Sequence, residues 1–145
     1  MGNVAASGGY YISCAANKII AEPNTLTGSI GIFGMFPNAS GLFGKLALTT
    51  DIVKTNTFSD LGDLSRPMTE SEKALIQGYV ERGYQTFLSR CAEGRGMTTE
   101  AVNAIGQGRV WTGEQAKERG LVDELGGIEL AISTAAGLAD LDQYS

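Results

Sequence analysis

The sequence predicts an α/β domain with parallel strands, and three observations predict it. Short apolar runs alternate with amphipathic segments, and glycines or helix-capping residues punctuate the joints. The length, 145 residues with 43% hydrophobic, suits one domain, 1–145, with a real core. No internal repeat or low-complexity stretch competes with that reading.

Val4-Ala5-Ala6 is an apolar run that delivers Ser7 where the chain turns into a helix. That helix is expected from about Ser7 to Ala16, ending at Asn17, with Tyr10-Tyr11-Ile12 as a face that can pack inward. Lys18 to Glu22 reads as a buried strand, stopped by Pro23-Asn24. Leu26 to Gly34 is apolar, with glycines at 28, 31 and 34 that suit tight turns and close backbone approach. A phosphate loop fails, because Gly44-Lys45 is followed by Leu46 rather than Ser or Thr. Asn38 to Leu46 reads as a short helix and Asp51 to Thr55 as a strand.

Asn56 to Pro67 is a polar loop, in which Asp60 and Asp63 read as solvated rather than as a working carboxylate pair. Thr69 and Glu72 have capping-box spacing and open the longest helix. Its stripe of Leu75, Ile76, Tyr79, Val80, Phe87, Leu88 and Cys91 is core or interface, and Gly78 and Gly83 hint at close packing. Gly94 to Gly96 ends it. Thr98 or Thr99 starts a helix to about Gly106, and Arg109 to Trp111 is extended. Thr112 and Gln115 form a second capping box for a short helix closed by Gly120. Leu121 to Leu125 leads into a last helix with Ile128, Ala131, Ile132, Ala135 and Ala139 on one face.

Composition narrows the chemistry. The net charge is −5 and no basic cluster exceeds two neighbours, so a nucleic-acid partner is not expected. No apolar run approaches the ~20 residues of a membrane span. Histidine is absent, which rules out a Ser–His–Asp triad within the chain and His-ligated metal; no cofactor is expected. Cys14 and Cys91 read as buried free thiols, although an oxidising compartment would permit a bridge.

Ser7 is the candidate for chemistry. It has small neighbours and a helix N-terminus beside it, and the Gly8 N–H is placed to serve an oxyanion. The alternative is a serine that merely caps the helix.

AASGGYYIS, LTGSIGIFG and GRVWTGEQAKERGLVDELGG together resemble the signal peptide peptidase A family of serine proteases, in order and over essentially the whole chain. The resemblance implies a Clp protease/crotonase-like fold and a Ser–Lys dyad. Ser7 would be the nucleophile, Gly8 an oxyanion-hole amide, and Ser29 the residue that orients the general-base lysine. Short-form members carry that lysine just after the strand holding Lys54, at the position occupied here by Ser59. A serine there matches long-form members, whose N-terminal half supplies the lysine and whose C-terminal half supplies the serine. The chain is therefore expected to be the C-terminal half, incomplete at its N-terminus, with Met1 matching an interior methionine of the motif. Alone it is expected to be inactive, and Lys54 reads as a surface lysine.

The resemblance also implies hydrophobic signal-peptide remnants as substrates and a ring-like homo-oligomer. It places the parent at the bacterial inner membrane through a segment outside this soluble chain, with a periplasmic catalytic domain. Two rivals stand beside it: an inert scaffold of the same fold, and a crotonase-like acyl-CoA enzyme, for which no CoA phosphate site is visible.

Overall fold

The computed structural model describes residues 1–141. In chain order the elements are β1 (Val4–Ala6), α1 (Gly8–Ser13), β2 (Ile20–Ala21), β3 (Leu26–Gly28), α2 (Ser40–Lys45) and α3 (Glu70–Arg95). There follow α4 (Thr99–Ile105), β4 (Val110–Thr112), α5 (Gly113–Glu118), β5 (Glu124–Leu125) and α6 (Ile128–Leu138). The chain forms two compact units: Met1–Ile32 with Tyr84 onward, and Phe33–Gly83.

The first unit is mixed α/β. β1 pairs with β3 in parallel and β2 with β5 in parallel, as expected, but β4 joins β3 antiparallel. Its core gathers Tyr10, Ile19, Ile30, Phe87, Val102 and Leu121. Tyr10 is fully buried, and its phenol donates to the Leu121 carbonyl at 2.9 Å. Burial pushes that phenol well above its usual pKa. Asp123 accepts from the Ile19 N–H at 2.7 Å and pairs with Arg95 at 2.9 Å. Burial alone would raise its pKa, but these partners outweigh that and hold it low.

Helix starts follow their local signals. Thr98 caps α4 by accepting from the Ala101 N–H at 3.1 Å. Thr112 and Gln115 form a reciprocal capping box at the start of α5. At the start of α3, Thr69 N–H donates to Glu72 Oε2 at 2.7 Å and Glu72 N–H to Thr69 Oγ1 at 3.3 Å. Each exchange satisfies amides that no helical carbonyl reaches.

Several expectations are corrected. Asp51 to Thr55 is not a strand; no neighbouring strand pairs with it, and Val53 is 94% exposed. The first helix stops at Ser13, and Lys18–Glu22 contracts to the two residues of β2. The α3 stripe splits: Phe87, Leu88 and Cys91 are buried, whereas Leu75 and Tyr79 are exposed. On α6 the anticipated face is turned outward, with Ile128 and Ile132 exposed and Ala136 buried instead. Close packing on α3 falls at Gly94 rather than Gly78. A Cβ on Gly94 would run into the Cys14 carbonyl, whereas one on Gly78 meets only the Arg82 side chain within contact distance.

The second unit is held differently. Its one buried residue is the carboxylate Glu72. Arg66 donates to Glu72 Oε1 at 2.6 Å and Oε2 at 2.8 Å, and to Asp60 Oδ2 at 2.8 and 3.1 Å. Lys54 adds a 3.0 Å ion pair to Asp60 Oδ1. Arg66, with the Thr69 amide, holds the Glu72 carboxyl far below its usual range; Lys54 and Arg66 do the same for Asp60. The expected solvated loop is thus anchored by a charged hub. Asp63 accepts from the Ser65 N–H at 2.7 Å.

Candidate active site

Parallel pairing sets Ala6 opposite Gly28, so the next residues, Ser7 and Ser29, leave the sheet side by side. Both emerge from the C-terminal ends of parallel strands, where α/β folds commonly place their sites. Both also have positive φ, 52° at Ser7 and 49° at Ser29, a region that serine rarely occupies.

Ser7 is the more strained of the two. Its φ of 52° and ψ of −116° lie outside the freely populated regions, a conformation that costs about 1–3 kcal/mol. The surrounding contacts enforce it. The Ser7 N–H donates to the Gly28 carbonyl at 2.9 Å, and the Ser7 carbonyl accepts from the Tyr11 N–H at 2.9 Å. Strand pairing fixes one side of the serine and the first turn of α1 fixes the other.

The capping alternative does not hold, because the Ser7 hydroxyl makes no capping hydrogen bond. Ser7 and Gly8 are exposed. The hydroxyl is therefore free to attack, beside first-turn amides that lack helical partners. A strained strand-to-helix turn that lifts an exposed serine is the geometry of a nucleophile elbow.

The supports are residues that sequence reading named only as packing or not at all. Gly28 has φ 76°, and a Cβ there would lie 2.9 Å from Trp111 Cδ1 and 3.1 Å from the Arg109 carbonyl. Only glycine lets β3 pass under Trp111 while its carbonyl holds Ser7. The Trp111 ring packs against the core. Its indole N–H donates to Ile105 at 3.0 Å, and Arg119 stacks at 3.8 Å. Thr27 is fully buried, and its hydroxyl donates to the Ala5 carbonyl at 2.8 Å, locking β1 to β3. A threonine between Leu26 and Gly28 carried no sequence signal for that role. Ser29 is half-buried, and its N–H donates to the Arg109 carbonyl at 2.7 Å.

Within the first unit, neither Lys18 nor Lys117 hydrogen-bonds to Ser7 or Ser29 among the described residues. Lys54 is ion-paired with Asp60 and also donates to Thr57, and Lys73 pairs with Glu70 at 2.7 Å. An ion-paired ammonium has no lone pair with which to take a proton. No group of three or more His, Cys, Asp or Glu able to hold a metal occurs among the described residues. No helix among them is long and apolar enough to cross a membrane.

Residues 1–142 match Peptidase family S49. The chain is 42% identical over 144 residues to "Protease 4" of Salmonella typhi, covering 99% of this chain and 23% of that protein. It is 40% identical over 143 residues to "Protease 4" of Haemophilus influenzae, again covering 99% and 23%. With "Putative signal peptide peptidase SppA" of Enterococcus faecium it shares 42% over 132 residues, or 91% of this chain and 38% of that protein. The chain thus spans about a quarter to two-fifths of these relatives' lengths.

Proposed function

The chain belongs to Peptidase family S49, and from that premise we propose that it is the serine-bearing half of a Ser–Lys endopeptidase with a Clp protease/crotonase-like fold. The observation that carries the reading is the exposed, strained Ser7 set in register beside Ser29 at the strand ends. Ser7 Oγ attacks the scissile carbonyl while a neutral lysine amine takes its proton. The Gly8 N–H donates to the oxyanion, and Ser29 orients the lysine. Collapse expels the amine product, which carries the proton away. Water, deprotonated by the same lysine, then attacks the acyl carbon, and the lysine returns that proton to Ser7 Oγ as the acid product leaves.

The lysine comes from a homologous N-terminal half outside this chain. Support comes from Ser59 standing at the short-form lysine position and from the engagement of Lys54 with Asp60. The proposed substrates are hydrophobic signal-peptide remnants, consistent with the name of the Enterococcus relative. They would bind in extended form by strand addition. The proposed parent is a ring-like oligomer at the bacterial inner membrane, with this part in the periplasm.

Neither lysine of the first unit hydrogen-bonds to Ser7 among the described residues, which favours one second reading, an inert scaffold. Fluorophosphonate labelling of this chain and of the longer protein containing it, each beside Ser7→Ala, separates the two. Labelling of the longer protein only, reduced at least about 10³-fold by Ser7→Ala, is expected. Labelling of the isolated chain would overturn the split dyad and make Lys54 the base to mutate. No labelling of either would establish the scaffold.

A further inference from the structure

The core of the first unit holds two thiols that the proposed chemistry does not use. Cys14, at the C-terminal end of α1, is 1% exposed, and Cys91, in the last turns of α3, is fully buried. Both are free. The Cys14 thiol donates to the Tyr11 carbonyl at 3.2 Å, and both thiols belong to one buried core cluster. The backbone of α3 also approaches the end of α1 closely. Gly94, one turn beyond Cys91, lies so near the Cys14 carbonyl that no Cβ would fit between them.

We propose that Cys14 and Cys91 are a disulfide-forming pair, a covalent staple between the end of α1 and α3 in chains folded under oxidising conditions. The bond would close a loop that holds all of residues 33–83. It would also tie down the far end of the short helix that begins at Ser7.

The co-reactant is a small disulfide such as oxidised glutathione. One cysteine thiolate attacks a glutathione sulfur, forming a mixed disulfide and releasing glutathione thiolate. The second cysteine attacks the protein sulfur of that mixed disulfide and releases the other glutathione. The two cysteine protons end on the two glutathione thiolates, so two thiols are oxidised and one disulfide is reduced. Burial beside Cys14 pushes the Cys91 thiol well above its usual pKa, which disfavours the attacking thiolate in the folded protein. Closure therefore belongs to the period in which the chain folds.

The test is to refold the reduced chain in a reduced/oxidised glutathione buffer. It is then unfolded, alkylated and digested for mass spectrometry without reductant, and the melting temperature is compared with that of a chain refolded in reductant. The expected result is a linked 14–91 peptide, two hydrogens lighter than its parts, and a Tm higher by about 5–15 °C. Two alkylated cysteines, glutathione adducts or chain-to-chain links would overturn the proposal. So would a 14–91 link that leaves Tm unchanged or lowers it.

Discussion

Residues 1–32 with 84–141 are held by a buried apolar core, whereas residues 33–83 are held by one guanidinium among carboxylates. In the first unit Tyr10, Ile30, Val102 and Leu121 are essentially solvent-free. In the second, the buried group is Glu72, while Phe33, Met35, Val53 and Tyr79 remain largely exposed. Apolar burial is non-directional and spread over many contacts, so it tolerates loss of any one of them. A charged hub concentrates order in a few geometrically demanding bonds, and removing its central guanidinium leaves two carboxylates with fewer partners. The strained Ser7 sits in the unit with the rigid core, which can enforce an unfavourable backbone conformation.

The largest expected break in that comparison is Arg66→Ala. Hydrogen-exchange protection across residues 40–80 should fall at least about tenfold, with the amides around Tyr10 and Val102 unchanged. An equal loss in both units would show that they do not open independently.

Next comes a pair of substitutions at the two ends of α3. Gly94→Ala should destabilise the first unit by about 2–3 kcal/mol, because the Cys14 carbonyl is backbone and has little room to move. Gly78→Ala meets only the end of the flexible Arg82 side chain and should stabilise the helix by up to about 1 kcal/mol. Urea midpoints of the two variants measure both; the same sign for both would show that α3 is packed alike along its length.

The smallest effect sharpens the contrast through pH. Glu72 and Asp60 have lowered pKa values in the folded chain, so their contribution is present above the ordinary carboxylate range and is lost as pH falls below about 4. Tyr10 has a raised pKa, so its contribution is present below about 10 and is lost as pH rises beyond that. Asp123 in the first unit shares the acid sensitivity, but it is one pair beside a large core. Pepsin at pH 3 should therefore cut first within 33–83, and subtilisin near pH 10.5 should gain cuts in the first unit relative to pH 8. First cuts by pepsin around α1 or α4 would reverse the assignment.

Much of this was legible because the signals are local. Thr69 with Glu72 and Thr112 with Gln115 each satisfy amides within three residues of themselves, so spacing sufficed to place both helix starts. The joint at Ser7 was legible for the same reason, as an apolar run followed at once by Ser-Gly-Gly. The absence of histidine excluded a Ser–His–Asp triad drawn from this chain alone without any structure. What depends on distant partners was not legible. Asp51–Thr55 has strand-like composition but no strand to pair with, and the outward face of α6 has helical period without a cover. Gly28 could be read as a close-approach glycine, but not as the carbonyl that anchors Ser7 or the residue beneath Trp111. The sequence by itself determined where helices begin, which serine is presented at a strand end, and that this chain holds no histidine. Only the tertiary structure decided that Ala6 lies opposite Gly28, that Ser7 and Ser29 therefore emerge together, and that Cys14 and Cys91 share one buried core. Register and packing are chosen by contacts between segments tens of residues apart, and local spacing does not encode those contacts.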